Sequence, residues 1–289
     1  ALGRARHEGI ELLAVQHHHA HLAACLADAG LSGRVVGVCF DGAGHGPDGT
    51  VWGGEVLVGD ARAVQRVASL RAVRLPGGDR AAREPWRMAV AHLMAAGIDP
   101  RGSAVGRRVD ARALETVIAM VEKGVNAPLT SSVGRLFDAV ASLAGLHDHV
   151  SFEGQAPMHI ESLASGTARG GAYVFERGSD GVFDAAPVVR AIVDDVDAGA
   201  GADTIARRFH AALADVVVET CTSIASARGL EVVVLGGGVF SNVLLTTEVT
   251  DGLSRRGLRV HRPTRVPPND GGLSFGQLAI AAALDGEGA

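Results

Sequence analysis

Lysine is almost absent from this chain of 289 residues. Lys123 is the only lysine, and the other 26 cationic residues are arginines scattered along a sequence with a formal net charge of −5. Proteins that bind nucleic acid without sequence preference need clustered cations to neutralise backbone phosphates. The composition therefore argues against a nucleic-acid partner.

Cysteine and long apolar runs are scarce as well. Cys25, Cys39 and Cys221 form no C-x-x-C pair, which excludes a zinc finger and a disulfide framework and favours a reducing cytoplasm. No run of 18 or more uncharged apolar residues occurs, so no membrane partner is expected. Hydrophobic residues nevertheless make up 47% of the chain, enough for one large domain or two lobes.

The most informative segment that is present is the run His17-His18-His19-Ala20-His21. In a helix His17 and His21 lie one turn apart on one face, a spacing at which two imidazoles can share a metal ion. The alternatives are a surface patch or a residual purification tag. The alanine inside the run and the apolar helical pattern around it count against a tag.

Helix and strand patterns alternate along the chain, which is typical of an α/β fold. Residues 77–128 are expected to form an all-helical insertion between β segments, and residues 41–50 an irregular loop. Asp79 and Asp203 are expected to cap helices. The predicted strands are residues 35–40, 51–58, 231–235 and 258–261, and the predicted helices are residues 16–29, 79–96, 111–123, 202–228, 239–253 and 273–285.

Two glycine-rich segments are candidate ligand loops. In residues 41–50, backbone N–H groups could converge on phosphate, and Asp41 or Asp48 could hold a divalent cation. The triplet 236–238 lies between a predicted strand and a predicted helix, where an anion or a nucleotide can approach the backbone. The alternatives are a flexible surface hairpin for the first segment and an ordinary strand-to-helix turn for the second.

A third segment, Asp270-Gly271-Gly272, precedes the last predicted helix. Its aspartate has two interpretations: a metal ligand, or a cap for the helix that begins near Leu273. Each of these signals is ambiguous alone. Their occurrence together in one chain points to a site that binds a metal and a nucleotide.

Seven motifs follow one another over nearly the whole sequence. They are residues 15–21 (VQHHHAH), 40–42 (FDG) with 52–55 (WGGE), 83–87 (REPWR), 132–140 (SVGRLFDAV), 152–156 (FEGQA), 236–242 (GGGVFSN) and 267–272 (PPNDGG). This set resembles the C-terminal carbamoyltransferase domain of the HypF-type proteins of nickel–iron hydrogenase maturation. More distantly, it is similar to the antibiotic O-carbamoyltransferases and to the enzymes that place threonylcarbamoyl on tRNA.

The resemblance implies an actin/hexokinase-like ATPase fold, with mixed sheets flanked by helices. It also implies a transferase that handles ATP and carbamoyl-adenylate and passes the carbamoyl group to the C-terminal cysteine thiol of a HypE-type partner. Two other functions remain open: O-carbamoylation of a small-molecule hydroxyl, and a truncated, non-catalytic nucleotide-binding module. The motif at residues 83–87 and the helical insertion favour the hydrogenase function.

The resemblance assigns roles to individual residues. A divalent metal, iron or zinc in the family, would be held by His17, His21 and Asp270, with Asp41 as a further ligand that could instead meet magnesium or phosphate. Metal-bound His17, His21 and Asp270 would assist catalysis. Residues on the nucleotide side would be Gly42 and Gly44 at the phosphates, Gly237 and Gly238 at the adenosine, Asn242 facing the nucleotide, and Asp138 and Glu161 at the ribose.

Some of these assignments have ordinary structural alternatives. Asp138 and Glu161 could equally be solvated residues of amphipathic helices. Arg83, Arg87 and Arg135 could neutralise phosphate, although surface ion pairing is as plausible for each.

Family members also carry upstream domains that have no counterpart in this sequence, among them the domain that makes the adenylate. We therefore expect that function to come from upstream or from another chain. Residues 1–30 are interpreted as the remnant of an incomplete first lobe that carries the histidine motif. Residues 31–289 are interpreted as the second actin-like lobe, closed by the helix 273–285.

Overall fold

Helices cover both faces of one mixed sheet in the computed structural model, which describes residues 7–8 and 12–286. The strands in this part of the chain are β1 (Val35–His45), β2 (Val51–Gly59), β3 (Val64–Leu70), β4 (Val73–Arg74), β5 (Leu129–Thr130), β6 (Glu176–Arg177), β7 (Val182–Asp184), β8 (Val232–Gly236) and β9 (Arg259–His261). Their main order is β6-β7-β3-β2-β1-β8-β9, and β5 pairs with both β2 and β4. The predicted α/β class with a mixed sheet is confirmed.

The α-helices alternate with these strands. They are α1 (His17–Ala29), α2 (Pro85–Ala95), α3 (Ala104–Arg108), α4 (Ala111–Lys123), α5 (Val133–Leu143), α6 (Gln155–Ser165), α7 (Ala186–Asp197), α8 (Ala202–Arg228), α9 (Val243–Arg255) and α10 (Leu273–Asp285). Short 3-10 helices cover Gly78–Ala82, Pro100–Gly102, Gly238–Ser241 and Asp270–Gly272. Between β4 and β5 all of these elements are helical.

Several predicted boundaries are confirmed. Helix α1 begins after Gln16, whose side chain accepts a hydrogen bond from the His19 backbone N–H, and it ends at Gly30 in the left-handed region. Helix α8 spans residues 202–228 and ends at Gly229. Helix α10 begins at Leu273.

The segment 41–50 was wrongly expected to be irregular. Strand β1 continues through Asp41 to His45, and its pairing with β2 shifts register between Phe40 and Gly44. Such a bulge leaves the extra residues of one strand unpaired and bends that strand, and regular pairing with β2 resumes at Gly44. Only the short tip beyond His45 is a turn.

Two predicted caps and two predicted helices also differ from the structure. Asp79 lies inside a 3-10 helix, and Gly201 rather than Asp203 precedes α8. The predicted helix 79–96 breaks before Pro85, because proline lacks a backbone N–H and is tolerated only in a first helical turn. The predicted helix 239–253 is divided by Asn242, which caps α9.

The residues of β1 alternate between two cores. Val36, Val38 and Phe40 face the larger core, to which most of the helices contribute. Val35 and Cys39 face a smaller core that includes apolar residues of α1. Helix α1 therefore lies on one face of the sheet, where it packs against β1, β8 and α10.

The carboxyl ends of β1 and β8 meet because these strands are parallel neighbours. Asp41 lies just beyond the stretch of β1 that pairs with β8, and Gly237 follows β8 directly. Ligands of α/β proteins commonly bind beyond the carboxyl ends of such strands. The fold thus brings the first glycine segment and the glycine triplet to one edge, next to the amino end of α1.

None of the helices within residues 7–8 and 12–286 has both the length and the apolar character that crossing a membrane requires. Of the interpreted first-lobe segment 1–30, residues 1–6 and 9–11 lie outside the described part of the chain, as do residues 287–289 of the second segment.

Packing of α10 on α1 leads to a prediction about stability. Gly276 of α10 is buried, and a Cβ added there would collide with the backbone oxygen of Ala20 in α1. We expect Gly276→Ala to force the helices apart and to lower the free energy of unfolding by about 1–3 kcal/mol. Urea denaturation measures this change. Gly166→Ala is the matched control, since its Cβ meets only ordinary contacts, and an equal urea midpoint for both variants would contradict the packing argument.

Candidate metal centre and ligand cavity

Four side chains from three distant segments converge at the edge of the sheet. Each of His17, His21, Asp41 and Asp270 offers one nitrogen or oxygen atom, and these atoms all lie within 4.8 Å of one another. Asp41 Oδ2 lies 3.3 Å from His17 Nε2 and 2.9 Å from His21 Nε2. Asp270 Oδ1 lies 3.4 Å and 3.6 Å from the same two nitrogens.

This donor set fits a divalent metal ion. Two neutral imidazoles and two carboxylates carry a total charge that one divalent cation balances. The measured imidazole–carboxylate distances also bracket the separation of about 3.3 Å between neighbouring ligand atoms in a tetrahedral site with bonds of about 2.0–2.1 Å. Nitrogen and oxygen ligands in this combination suit zinc or iron.

Helix geometry places the two imidazoles side by side. His17 and His21 are one turn apart in α1, and their ring centroids lie 4.9 Å apart in an edge-on arrangement. Gly44 of β1 lies directly beneath the helix, where a Cβ would collide with the rings of His17 and His18. Because Gly44 has no side chain, the histidine face can approach the strand.

Asp41 is fixed from several directions. Its Oδ1 accepts hydrogen bonds from the backbone N–H groups of Gly42 at 2.8 Å and Gly238 at 3.3 Å. The Ser132 hydroxyl donates to the backbone oxygen of Asp41 at 2.7 Å. Burial disfavours the charged carboxylate, but the hydrogen bonds with His17, His21 and Gly42 outweigh it and hold the pKa of Asp41 well below its usual range.

The same carboxylates shift the pKa of His17 upward. Burial alone would lower the pKa of its imidazole, whereas the hydrogen bond with Asp41 and the negative charges of Asp270 and Asp41 raise it above 6.5. The site therefore attracts positive charge at the point where the imidazole nitrogens face the carboxylates.

The other two histidines of the run have different surroundings. His18 is fully buried, and its Nε2 lies 3.6 Å from Glu55 Oε2 without forming a hydrogen bond. Burial lowers the pKa of His18 to about 3. His19 Nε2 lies 2.9 Å from the backbone oxygen of Asp60, in the loop after β2.

Glu55 had no predicted role, although a charged residue in the otherwise apolar β2 was a visible signal. Glu55 is fully buried and accepts hydrogen bonds from the backbone N–H groups of Gly53 and Gly54, both at 2.7 Å, and from the hydroxyl of Ser131. Burial raises its pKa to about 7 despite these donors. Glu55 thus fixes the strand that lies beside Asp41.

A cavity of about 800 Å³ opens next to the four-residue cluster. Asp41 and Asp270 belong to both the cluster and the cavity wall. The remaining lining residues are Gly42, Ala43, Gly134, Arg135, Phe137, Glu153, Gly154, Pro157, Met158, Glu161, Gly238, Val239, Ser241, Asn242, Asn269 and Gly271. A ligand of nucleotide size fits this volume beside the cluster.

The cavity brings together four of the seven residues that were predicted on the nucleotide side: Gly42, Gly238, Asn242 and Glu161. Asn242 caps α9 through the Leu245 N–H, and its amide nitrogen lies 2.9 Å from His210 Nε2. Glu161 Oε1 accepts the N–H groups of Val243 at 2.6 Å and Leu244 at 3.3 Å. Both side chains therefore also stabilise the first turn of α9.

The other three residues lie outside the cavity wall. Gly44 lies under the histidine helix, as described above. Gly237 has a φ of 96° and lies so close to the Phe40 backbone that a side chain would collide with it. Asp138 is buried in α5, where its Oδ2 lies 3.2 Å from an Arg135 side-chain nitrogen.

Arg135, Arg87 and Asp48 have partners within the protein, whereas Arg83 is exposed and is not part of the cavity lining. Arg135 also pairs with Glu153 at 3.1 Å, on the cavity wall. Arg87 pairs with Glu84 at 2.5 Å in α2, away from the cavity lining. Asp48 Oδ1 accepts hydrogen bonds from the side chains of Thr50 and Trp52 at the tip of the β1–β2 hairpin.

Comparison with known proteins adds an independent observation. A family model described as "Carbamoyltransferase, Kae1-like Domain, second subdomain" matches residues 37–277. The chain is 42% identical to Carbamoyltransferase HypF of Rhodobacter capsulatus over 97% of its own length and 37% of the relative's. It is 41% identical to a Carbamoyltransferase HypF homolog of Cupriavidus necator, over 94% of its own length and 71% of that relative.

Solved structures are similar as well. A crystal structure of full-length HypF in the phosphate- and nucleotide-bound form superposes with a TM-score of 0.91 at 34% identity, covering 98% of this chain and 45% of that one. HypF of T. kodakarensis gives a TM-score of 0.87 at 30% identity, covering 99% of this chain and 38% of that one. The chain therefore spans less than half of either solved protein.

Buried Asp138 generates a prediction about pH. Burial raises the pKa of its carboxyl from 3.8 to about 7, although the Arg135 charge opposes the shift. The folded protein therefore holds this proton more tightly than the unfolded chain does, and the contribution of Asp138 to stability falls as pH rises from 3.8 to about 7. We expect the free energy of unfolding of Asp138→Asn to increase relative to that of wild type by roughly 2–4 kcal/mol as pH rises across this window. Urea denaturation at several pH values measures this difference.

Asp195→Asn is the control for this series. The pKa of Asp195 is lowered, because hydrogen bonds from Tyr173 and Arg208 outweigh its partial burial. Its replacement should therefore lower stability by an amount that stays nearly constant above pH 4 and shrinks only as pH falls below the ordinary aspartate pKa of 3.8. A constant difference between Asp138→Asn and wild type from pH 4 to pH 8 would contradict the assigned ionisation.

Proposed function

The chain belongs to the HypF carbamoyltransferase family, and we propose that it transfers a carbamoyl group from carbamoyl-adenylate to a thiol acceptor with the help of a bound metal ion. The proposed metal ligands are His17, His21, Asp41 and Asp270. One observation carries the proposal: two of these residues, Asp41 and Asp270, also line the adjoining cavity of about 800 Å³. A ligand in the cavity would lie directly beside the metal ligands.

A metal held by these residues would supply a Lewis acid for the carbamoyl carbonyl, while the thiol sulfur forms the new C–S bond, AMP leaves and the thiol proton is released. The chain prepares the site by holding its ligands in place. Gly42 and Gly238 orient the Asp41 carboxylate, and α1 fixes the separation of the two imidazoles. The low pKa of Asp41 keeps this ligand ionised at neutral pH.

The nucleotide side of the cavity has features that suit phosphate. Gly134 lies so close to the backbone of Gly42 that a Cβ on Gly134 would collide with it, and a Cβ on Gly42 would meet the side chains of Glu153 and Arg135. Gly134 lies in the first turn of α5, where backbone N–H groups and the helix dipole favour an anion. Arg135 adds a positive charge to the same wall.

Similarity to a solved HypF that binds phosphate and nucleotide supports this assignment. We place Gly42 at the phosphates and Gly238 at the adenosine. For the ribose, Glu161 is the better supported acid, because it lines the cavity whereas Asp138 is buried behind Arg135. Gly44, Gly237 and Asn242 would act by shaping the backbone around the ligand.

The thiol acceptor must come from another molecule. All three cysteines of the chain are buried, and none of them lines the cavity. Burial raises the pKa of Cys25 and Cys221 to about 12, which keeps both as unreactive thiols. We propose the C-terminal cysteine of a HypE-type maturation protein as the acceptor.

We further propose that the chain adopts an actin/hexokinase-like arrangement and acts in the cytoplasm. Residues 1–30 would belong to a first lobe and residues 31–289 to the second, with residues 77–128 as a helical insertion. Carbamoyl-adenylate would be supplied by an adenylate-forming domain, either upstream or on another chain.

The function is tested by a transfer assay. Carbamoyl-adenylate is generated with ATP, carbamoyl phosphate and a separate adenylate-forming domain, and transfer to a peptide with a C-terminal cysteine is followed by mass spectrometry. We expect His17→Ala to lower the rate at least about 100-fold, because the metal loses a ligand and transition-state charge is no longer stabilised.

His149→Ala is the matched control, since His149 is an exposed histidine outside the four-residue cluster, and it should keep the wild-type rate. A peptide that ends in serine should not be carbamoylated. Equal rates for wild type and His17→Ala would contradict metal assistance, and preferential transfer to serine would support an O-carbamoyltransferase instead.

A further inference from the structure

Asp28 lies at the carboxyl end of a helix, where the helix dipole disfavours a carboxylate. It is in the last turn of α1, the helix that carries His17 and His21, and its side chain is buried. The carbonyl groups at a helix carboxyl end repel negative charge, and this turn holds no basic residue to offset it. A buried carboxylate at this position therefore needs partners from elsewhere.

Those partners come from the segment that leads to Asp270. Asp28 Oδ2 accepts the Thr264 backbone N–H at 2.7 Å and the Thr264 hydroxyl at 3.1 Å. Asp28 Oδ1 accepts the Arg265 backbone N–H at 3.0 Å. The Arg265 guanidinium also donates to the Asp28 backbone oxygen at 2.5 Å and so caps the end of α1.

The segment 262–269 has few other attachments. It contains no helix or strand, and Pro263 is its one buried residue. Within the described residues, its hydrogen bonds to other elements are those to the end of α1, one from the Gly237 N–H to the Pro268 oxygen at 2.8 Å, and those that Asn269 accepts from the Gly271 and Gly272 N–H groups at the start of the 3-10 helix 270–272. The position of the segment therefore depends on a small number of polar contacts.

Asp270 directly follows this segment, which sets one of its two backbone attachments; the other is the 3-10 helix 270–272. Its side chain is 67% exposed, and its ion pairs in the described part of the chain are with His17 and His21. Pro267 and Pro268 restrict the backbone between the Asp28 contacts and Asp270. The contacts of Asp28 thus fix the approach to Asp270 from the amino-terminal side, and the 3-10 helix that runs into α10 holds it from the other side.

We propose that Asp28 is a positioning residue of the metal centre, which holds the segment 262–269 against α1 so that Asp270 meets His17 and His21. This inference rests on the proposed metal centre and extends it by a residue outside the ligand set. The amino end of α1 supplies two of the proposed ligands, His17 and His21. Its carboxyl end, through Asp28, positions a third, Asp270.

The test is a titration of the purified chain with Co²⁺, followed by its visible absorption, together with thermal unfolding of the metal-free protein. We expect Asp28→Asn to weaken Co²⁺ binding by roughly tenfold, because supporting residues of metal ligands typically contribute this much. Its bound spectrum should change in the same direction as that of Asp270→Ala. The double variant Asp28→Asn/Asp270→Ala should bind no more weakly than Asp270→Ala alone, because Asp28 acts through Asp270.

Asp148→Asn is the matched control. Asp148 also fixes a loop through several hydrogen bonds, from Arg108 and Ser142, but it touches no part of the segment 262–269. It should lower thermal stability and leave Co²⁺ affinity unchanged. Should Asp28→Asn fail to fold, Thr264→Val removes only the hydroxyl donor and should weaken Co²⁺ binding to a smaller extent.

Two results would overturn the inference: wild-type Co²⁺ affinity in Asp28→Asn and Thr264→Val, or additive losses in the double variant. His21→Ala separates this failure from failure of the metal centre itself. If His21→Ala abolishes binding while Asp28→Asn does not weaken it, only the role of Asp28 is wrong. If His21→Ala binds Co²⁺ as wild type does, the proposed centre is wrong.

Discussion

The hydrogen-bonding contact of 2.9 Å between His21 and Asp41 joins the two parts on which the site depends. His21 belongs to α1, which packs on one face of the sheet, and Asp41 lies at the bulge of β1 beneath that helix. Gly42 and Gly238 hold the Asp41 carboxylate in place, and Ser132 at the start of α5 holds its backbone oxygen. Movement of any of these elements would change the distances to both imidazoles.

Two acids on adjacent strands have opposite ionisation behaviour, and the difference follows from their surroundings. Asp41 faces two imidazoles and keeps a low pKa, whereas Glu55 is buried with neutral donors and has a pKa raised to about 7. A carboxylate that remains ionised suits a metal ligand. The buried Glu55 carboxyl supports β2, and it does not belong to the group of proposed metal ligands.

The local features of the fold could be predicted from the sequence, and its long-range contacts could not. Helix α1 has a cap, an apolar pattern and a terminal glycine, all within a short segment. The continuation of β1 through Asp41 was missed, because its glycines suggest a loop while its pairing depends on β2. The family resemblance assigned Asp270 to the same predicted metal site as His17 and His21. The contacts of Asp28 with Thr264 and Arg265 involve residues without any local pattern that links them.

The central claim is that one metal ion is held by a helix face, a strand and a loop from opposite ends of the chain. Anomalous diffraction from a crystal of this protein grown with Zn²⁺ tests it most directly. The account predicts a peak at the zinc edge about 2.0–2.2 Å from His17 Nε2, His21 Nε2 and carboxylate oxygens of Asp41 and Asp270. A zinc peak bound only at other residues, or one at the two histidines with Asp270 turned away from it, would contradict the account.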